Sequence, residues 1–503
     1  MNNIEDIIQI TEFGAAEAVP GSKLMLESGK NRILVDIGTE YKKDEENMPL
    51  PFDARSINQL LLTHGHADHM GQLLKLTKAG FKGKIFSTQE TADITEKQLS
   101  QSVSSSFIHN KWAKGRVYNH GPKKGELVQF KEIMFTYGDM KEAMKLFEPF
   151  EGKRGFPYEK QVDISGDVKA TFYEAGHIPG AAQILFEISK NGRQLKLLTS
   201  YDLGRTDYKI TQHPIANIPL VRFPHTKFPK DIDYIVVEST YGSKVHGNLE
   251  DSIGTLEEAA NDAAKNEGKL IIPAFSIMRT QMIWNFFFRL GKEGRLPSNM
   301  ALYSSSPTAD EISRIMLKYI DNFDEEAKKE FADKDNNPFH FDRLIRHKKM
   351  GETVELLKDK NKASYSIIAS SGMCDFGRIV TILGHTISDP KNIILSTGYA
   401  AEGTRMWMMQ NHYEEIPFNE TIGPVKLRTD VRKMGGLSGH ADCKEIIAHL
   451  KNIHDPVEGE QFKGIYIKHG EKDACHALRA EIIKEGYNPS TVYVMKKGEV
   501  YRL

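Results

Sequence analysis

Three histidines and an aspartate fall within six residues of the stretch LLLTHGHADHMGQ, where His64, His66, Asp68 and His69 follow directly on an apolar run. Imidazole and carboxylate are the donors that suit zinc, with manganese or iron taking over where oxygen ligands dominate. His64, Asp68 and His69 cannot all close on one small ion from so short a loop without strain. The loop can instead divide its donors between two neighbouring ions, His64 and His66 serving one, Asp68 and His69 the other. Gly71 then lets the chain turn away into a helix.

Two ions need further ligands, and the chain offers them in matching settings. YEAGHIPGAAQ places His177 in a turn after a short strand, and GIYIKHGE places His469 after a strand near the C-terminus. LKLLTSYDLGR places Asp202 after a buried-looking strand, where one carboxylate can bridge both ions. Asp36 in ILVDIG is either a turn former before Gly38 or an acceptor for an imidazole N–H, which would fix the tautomer of a ligand histidine. The second role is the one expected here.

These groups need a scaffold that brings strand ends together. Up to about Leu203 the chain reads as short strands, KLMLES, RILVDIG, QLLLTH, GKIFST and LKLLTSYD, each stopping at a polar or glycine-containing loop. From Thr91 to about Lys160 the pattern is helical and charged, as in TADITEKQLSQSVSSSF and MKEAMKLFEPFEGKRG, either an elaboration of the surface or a lid. A second αβ section is expected to begin near DIDYIVVESTYG, and its βαβα alternation predicts a parallel, helix-flanked sheet. The 503 residues suit two or three domains.

Lys plus Arg (67) nearly balances Asp plus Glu (68), for a net charge of −1, so any groove for a polyanion must be local or depend on bound cations. The three cysteines, Cys374, Cys443 and Cys475, form no CxxC pair, which excludes a zinc ribbon and a disulfide framework and favours a reducing compartment. Neither a signal-peptide core nor an apolar run of roughly 20 residues is present, so a cytoplasmic protein without membrane contact is expected.

Asp36, the His64-Gly-His-Ala-Asp68-His69 run, His177 and Asp202 resemble, in order and context, the motifs of the metallo-β-lactamase fold. GHIPGAAQ resembles the third motif of one branch, the β-CASP nucleases, and specifically those like the cleavage and polyadenylation endonuclease. Glu238 in VVESTYG, His440 in GGLSGHADCKE and His469 in IKHGE look like that branch's three additional motifs, and SGMCDFGR, GYAAEGT and IPAFSIMRTQ are also similar to family segments.

The resemblance implies an α/β fold: a metallo-β-lactamase αββα sandwich interrupted by an inserted β-CASP αβ domain. The expected division is 1–208 and 429–503 for the sandwich and 209–428 for the insert. It further implies two Zn2+ per chain held by His64, His66, Asp68, His69, His177, Asp202 and His469, with Asp36 behind them. Catalysis would rest on Asp68, Glu238 and His440, the last as general acid held in its charged form by Glu238. In this family a histidine at the position of His469 goes with RNA, so a ribonuclease is expected. A two-metal-activated hydroxide would leave 5′-phosphate and 3′-hydroxyl ends. Ser438, His469, Arg279 and Arg378 are the expected substrate contacts, RNA the expected partner, and a homodimer compatible with the reading. A small-molecule metallohydrolase would leave Glu238, His440 and the insert without a role. A non-catalytic scaffold in a processing complex should have lost ligands, and none is missing.

Overall fold

The computed structural model describes residues 7–41, 45–114, 133–205, 228–247, 249–323, 325–333, 337–359, 361, 364–419 and 422–503. Two mixed sheets stack face to face. The first runs Val500–Arg502, Ile8–Glu12, Leu24–Ser28, Asn31–Val35, Gln59–Leu61, Lys84–Phe86. The second runs Val492–Val494, Gly464–Ile467, Tyr234–Val237, Arg193–Ser200, Ala182–Lys190, Val168–Glu174, Gln161–Ser165.

Strand alternation decides what meets between them. Leu24, Leu26, Ile33 and Val35 point inward to join Phe172, Ile184, Phe186 and Val236 in one core. Their neighbours Met25 and Leu34 point outward and are covered by Leu73–Lys78, Gln89–Ala113 and Tyr137–Met144. On the far side, Leu185, Leu198, Ile235 and Ile465 lie beneath Cys443–Ile453 and Lys472–Lys484. Both faces of each sheet are therefore buried, which is why the strands read as apolar runs and not as clean alternations. The layers are αββα, as the motifs implied.

The insert carries a six-stranded sheet in the order Leu344–Arg346, Leu302–Ser304, Tyr365–Ala369, Lys269–Pro273, Ile393–Ser396, Asp430–Lys433. Every pairing in it is parallel. Leu249–Lys265, Arg279–Lys292 and Pro307–Lys318 pack on one face, and Arg378–Thr386 and Arg405–Gln410 on the other. The expected parallel, helix-flanked sheet is thus present.

Three expectations need adjusting. Tyr234–Val237 does not open the second αβ section: it pairs with Arg193–Ser200 and Gly464–Ile467 in the sandwich. A four-residue apolar strand carries no mark of the sheet it joins. At the other end, Asp430–Lys433 belongs to the insert's sheet, so by sheet membership the insert reaches past the expected boundary at 428. The expected start at 209 lies outside the described residues. The helical run MKEAMKLFEPFEGKRG ends at Met144, because Pro149 and the positive-φ pair Glu151-Gly152 close a hairpin of Pro149–Phe150 with Lys153–Arg154.

The long helix Gln89–Ala113 braces the two domains. Lys318 pairs with Asp93 at 2.5 Å, Lys97 with Glu311 at 3.0 Å, and Thr308 donates to Gln101 at 2.7 Å. The middle of the expected 91–160 segment, residues 115–132, lies outside the described residues. Among the described residues no helix is long and apolar enough to cross a membrane.

Candidate metal centre and active site

The site sits where strands of both sheets end. His64 follows Gln59–Leu61, Asp202 follows Arg193–Ser200, and His469 follows Gly464–Ile467. Asp36, Asp202 and His469 each take left-handed backbone, with φ of 63°, 37° and 53°. That conformation costs a non-glycine residue roughly 1–3 kcal/mol and persists only where the surroundings enforce it. It turns each side chain off its strand and into the cleft. Gly38 lets the loops close, since a Cβ there would lie 1.6 Å from the Asp68 carbonyl oxygen.

Donor atoms of the expected ligands gather in two groups. His64, His66, His177 and Asp202 form one and Asp68, His69 and His469 another, with the ligand atoms of each within 4.8 Å of one another. Asp202 stands between them, Oδ2 lying 3.3 Å from His64 Nε2 and Oδ1 3.3 Å from His69 Nε2. The structure therefore brings together all seven expected ligands and divides the HxHxDH loop as its spacing suggests.

Supporting hydrogen bonds fix which ring nitrogens face inward. His69 Nδ1 donates to Asp36 Oδ2 at 2.7 Å, and His177 Nδ1 donates to the Gly439 carbonyl at 2.8 Å. Both Nε2 atoms are thereby left as lone pairs turned to the centre. His66 Nδ1 lies 3.1 Å from both His64 Nε2 and His177 Nε2, and His69 Nε2 lies 3.0 Å from His469 Nε2. Lone pairs converging at such distances repel unless a cation sits among them. Asp202 Oδ1, fully buried, accepts no hydrogen bond. The donor set fits metal ions.

Electrostatics point the same way. Burial, reinforced by neighbouring imidazoles, pushes His66 down to about 3 and lowers His64 and His177. For Asp202 burial opposes the charge, yet His469, His69 and His64 hold the carboxyl well below its ordinary range. Neutral imidazole and ionised carboxylate are the forms that bind metal. His69 differs: burial opposes its charge, but Asp202 and Asp36 raise it well above the usual imidazole value. Those carboxylates call for positive charge at that spot.

Beside the cluster, His440 Nδ1 donates to Glu238 Oε2 at 2.9 Å, and Glu238 Oε1 accepts from the Leu203 amide at 2.5 Å. Glu238 is wholly buried, whereas His440 keeps an edge exposed. Its ring centroid lies 4.5 Å from that of His177. Burial works against the imidazolium, but Glu238 and Asp202 outweigh it and raise His440 to about 9.

Three family descriptions match the chain: the metallo-beta-lactamase superfamily over residues 18–141, the Beta-Casp domain over 280–407 and the Zn-dependent metallo-hydrolase RNA specificity domain over 424–495. The chain belongs to the β-CASP branch of the metallo-β-lactamase superfamily. It is similar to Ribonuclease TTHA0252 of Thermus thermophilus, with 28% identity over 94% of this chain and 95% of that protein. Transcription termination factor FttA of Methanosarcina mazei is 25% identical over 95% of this chain and 69% of its own length. Cleavage and polyadenylation specificity factor 73 of Drosophila melanogaster is 24% identical over 95% and 62%.

The remaining expected contacts of this β-CASP chain fall as follows. Ser438 Oγ accepts from the His440 amide at 3.1 Å and so shapes the turn that carries His440. Arg279 donates to the Thr397 carbonyl. Arg378 donates to the carbonyls of His347 at 2.9 Å and Lys348 at 2.6 Å. Both guanidinium groups tie loops of the insert together, a role that spacing did not suggest.

Sequence reasoning missed a buried network behind the expected metal ligands. Lys468 and Glu12, both fully buried, pair at 2.5 Å, and Lys468 Nζ also donates to Ser22 Oγ at 2.8 Å and lies 4.1 Å over the Tyr201 ring. Ser22 donates to Asp36 at 3.4 Å, and the Thr63 amide donates to Asp36 at 2.8 Å. The available signal was a charged residue, Lys468, set between a buried strand and a ligand histidine. Thr240, whose hydroxyl lies 3.1 Å from His469 Nδ1, and His246, which donates to the His440 carbonyl at 2.9 Å, carried no such mark.

Proposed function

We propose that this chain is a zinc-dependent ribonuclease that hydrolyses RNA phosphodiester bonds and leaves 5′-phosphate and 3′-hydroxyl ends. The observation that carries the reading is the hydrogen-bonded His440–Glu238 pair set against the divided His/Asp cluster. The similarity to a ribonuclease of Thermus thermophilus supports RNA as the substrate. A hydrolase acting on small esters has no use for a buried carboxylate–imidazolium pair at this place.

His64, His66 and His177 would hold one zinc ion, Asp68, His69 and His469 the other, and Asp202 would bridge them. When bound, zinc supplies Lewis acidity toward a phosphoryl oxygen and activation of water at neutral pH. Asp36 orients His69 by accepting its Nδ1–H, and the Gly439 carbonyl orients His177 in the same way. His440 presents Nε2–H to the departing 3′ oxygen and transfers that proton as the P–O3′ bond breaks and the bond from phosphorus to the water oxygen forms. Glu238 holds the Nδ1–H throughout, so the imidazole stays aimed after giving up its Nε2 proton. The three free cysteines fit a reducing, cytoplasmic setting.

Incubating the metal-loaded protein with end-labelled RNA, single-stranded DNA and a generic ester tests the reading. RNA cleavage with new 5′-phosphate ends is expected, and His440→Ala should abolish it while retaining the metals. Turnover of the ester alone would overturn the reading.

A further inference from the structure

Three large aromatic side chains stand exposed at one edge of the insert. Phe275 is 37% exposed, Phe376 64% and Tyr399 59%. Each lies in the loop following one of three adjacent parallel strands, Lys269–Pro273, Tyr365–Ala369 and Ile393–Ser396. They therefore share the carboxyl edge of the sheet, where open α/β sheets receive their ligands. Scattered exposed apolar residues are ordinary, but three rings on neighbouring loops are not explained by folding.

The loops hold these rings open and in place. Phe275 lies between Gly372 and Gly398: a Cβ on either would approach its ring to 3.1 and 3.7 Å, and neither residue has a side chain to cover it. Thr397 Oγ1 donates to the Pro273 carbonyl at 2.8 Å, and Ser276 and Ser370 join their hydroxyls at 2.8 Å. The Ser371 amide donates to the Phe376 carbonyl at 3.1 Å, and Arg405 donates to the Asp375 carbonyl at 3.1 Å.

The row of rings leads to the metal centre. Asp430–Lys433 pairs parallel with Ile393–Ser396 and so ends at the same edge, and seven residues later the chain reaches His440. A loop of the sandwich beside His440 carries Tyr241, whose ring centroid is 6.4 Å from that of His440. That loop also bears an exposed lysine, Lys244.

We propose that Phe275, Phe376 and Tyr399 form a platform on which the bases of single-stranded RNA stack as the strand enters the metal centre. The proposal rests on the ribonuclease reading above. Every base offers a π face, so such a platform gives affinity with little sequence demand, and Lys244 at its inner end meets a phosphate. A duplex, whose bases already stack on one another, gains nothing from it.

Steady-state kinetics on oligoadenylate and oligouridylate of equal length provide the test. The wild-type protein should show the lower KM on oligoadenylate, because purines stack more strongly. Phe376→Ala and Tyr399→Ala should each raise that KM roughly tenfold, the scale of one stacked base, and bring the two KM values together. Phe376→Trp and Tyr399→Phe, which keep a ring, should retain the wild-type values. Alanine variants that cut RNA with both KM values unchanged would overturn the platform and leave the ribonuclease reading standing. A wild-type protein that turns over neither RNA would overturn that reading itself.

Discussion

Replacing Glu238 by glutamine removes one negative charge from beside His440 and little else in volume. The carboxylate is wholly buried and serves two donors, the His440 Nδ1–H at 2.9 Å and the Leu203 amide at 2.5 Å. It is the foremost reason that His440 rises from 6.5 to about 9 although burial pulls the other way. An opposite charge at such range moves a pKa by about 1–3 units, each worth about 1.4 kcal/mol. With His440 as the proposed acid, activity is present below its pKa and lost as pH rises through it. Bound dications lower that pKa in wild type and variant alike, and the difference between the two survives.

The assay is therefore the pH profile of kcat/KM on RNA, with the basic limb of Glu238→Gln displaced about 1–3 units toward acid. A drop of two units from 9 lowers the protonated fraction at pH 8 about tenfold. The glutamine amide also turns N–H toward a donor, which costs about 1–3 kcal/mol of local stability and is read from a thermal melt. A variant whose rate falls while its basic limb stays at the wild-type pH would refute the electrostatic role and leave Glu238 as a positioning group only.

Other expectations concern the network, the ligands and the core. Lys468→Met strands the buried Glu12 carboxylate and should cost about 3–5 kcal/mol in denaturant unfolding, with much of it recovered by adding Glu12→Gln. Chelation should lower the melting temperature of the loaded protein, by the equivalent of about 2.7 kcal/mol for each ion where free zinc stood at a hundred times Kd. Metal analysis should find two ions in the wild type and one in His177→Ala or His469→Ala, since each of these histidines belongs to a single cluster. Phe186→Ala empties a site shared by both sheets of the sandwich and should cost about 3–5 kcal/mol by chemical denaturation.

What could be read from the residues alone was whatever their local spacing constrains. Within His64–His69 the chain is too short to aim four donors at one point, so the division between two groups is contained in the motif. His177, Asp202 and His469 were legible because each ends an apolar run, and strand ends are where a sheet releases side chains into a cleft. Helix and strand types in the insert followed from their periods for the same reason.

Tertiary structure decided what depends on neighbours distant in sequence. Tyr234–Val237 joins the sandwich because of its partners, Leu197 and Gly464 among them, and four apolar residues cannot encode that choice. Lys468 and Ser22 are 446 positions apart, so no spacing announces that they meet beneath Asp36. Arg279 and Arg378 offered the right charge for a phosphate, yet carbonyls of adjacent loops engage them. Phe275, Phe376 and Tyr399 look like core residues in sequence, and only the packing of strands side by side turns them into one exposed row. Ligand type and strand ends are local properties of the chain; which ends share a cleft, and which charges share a cavity, follows from long-range packing.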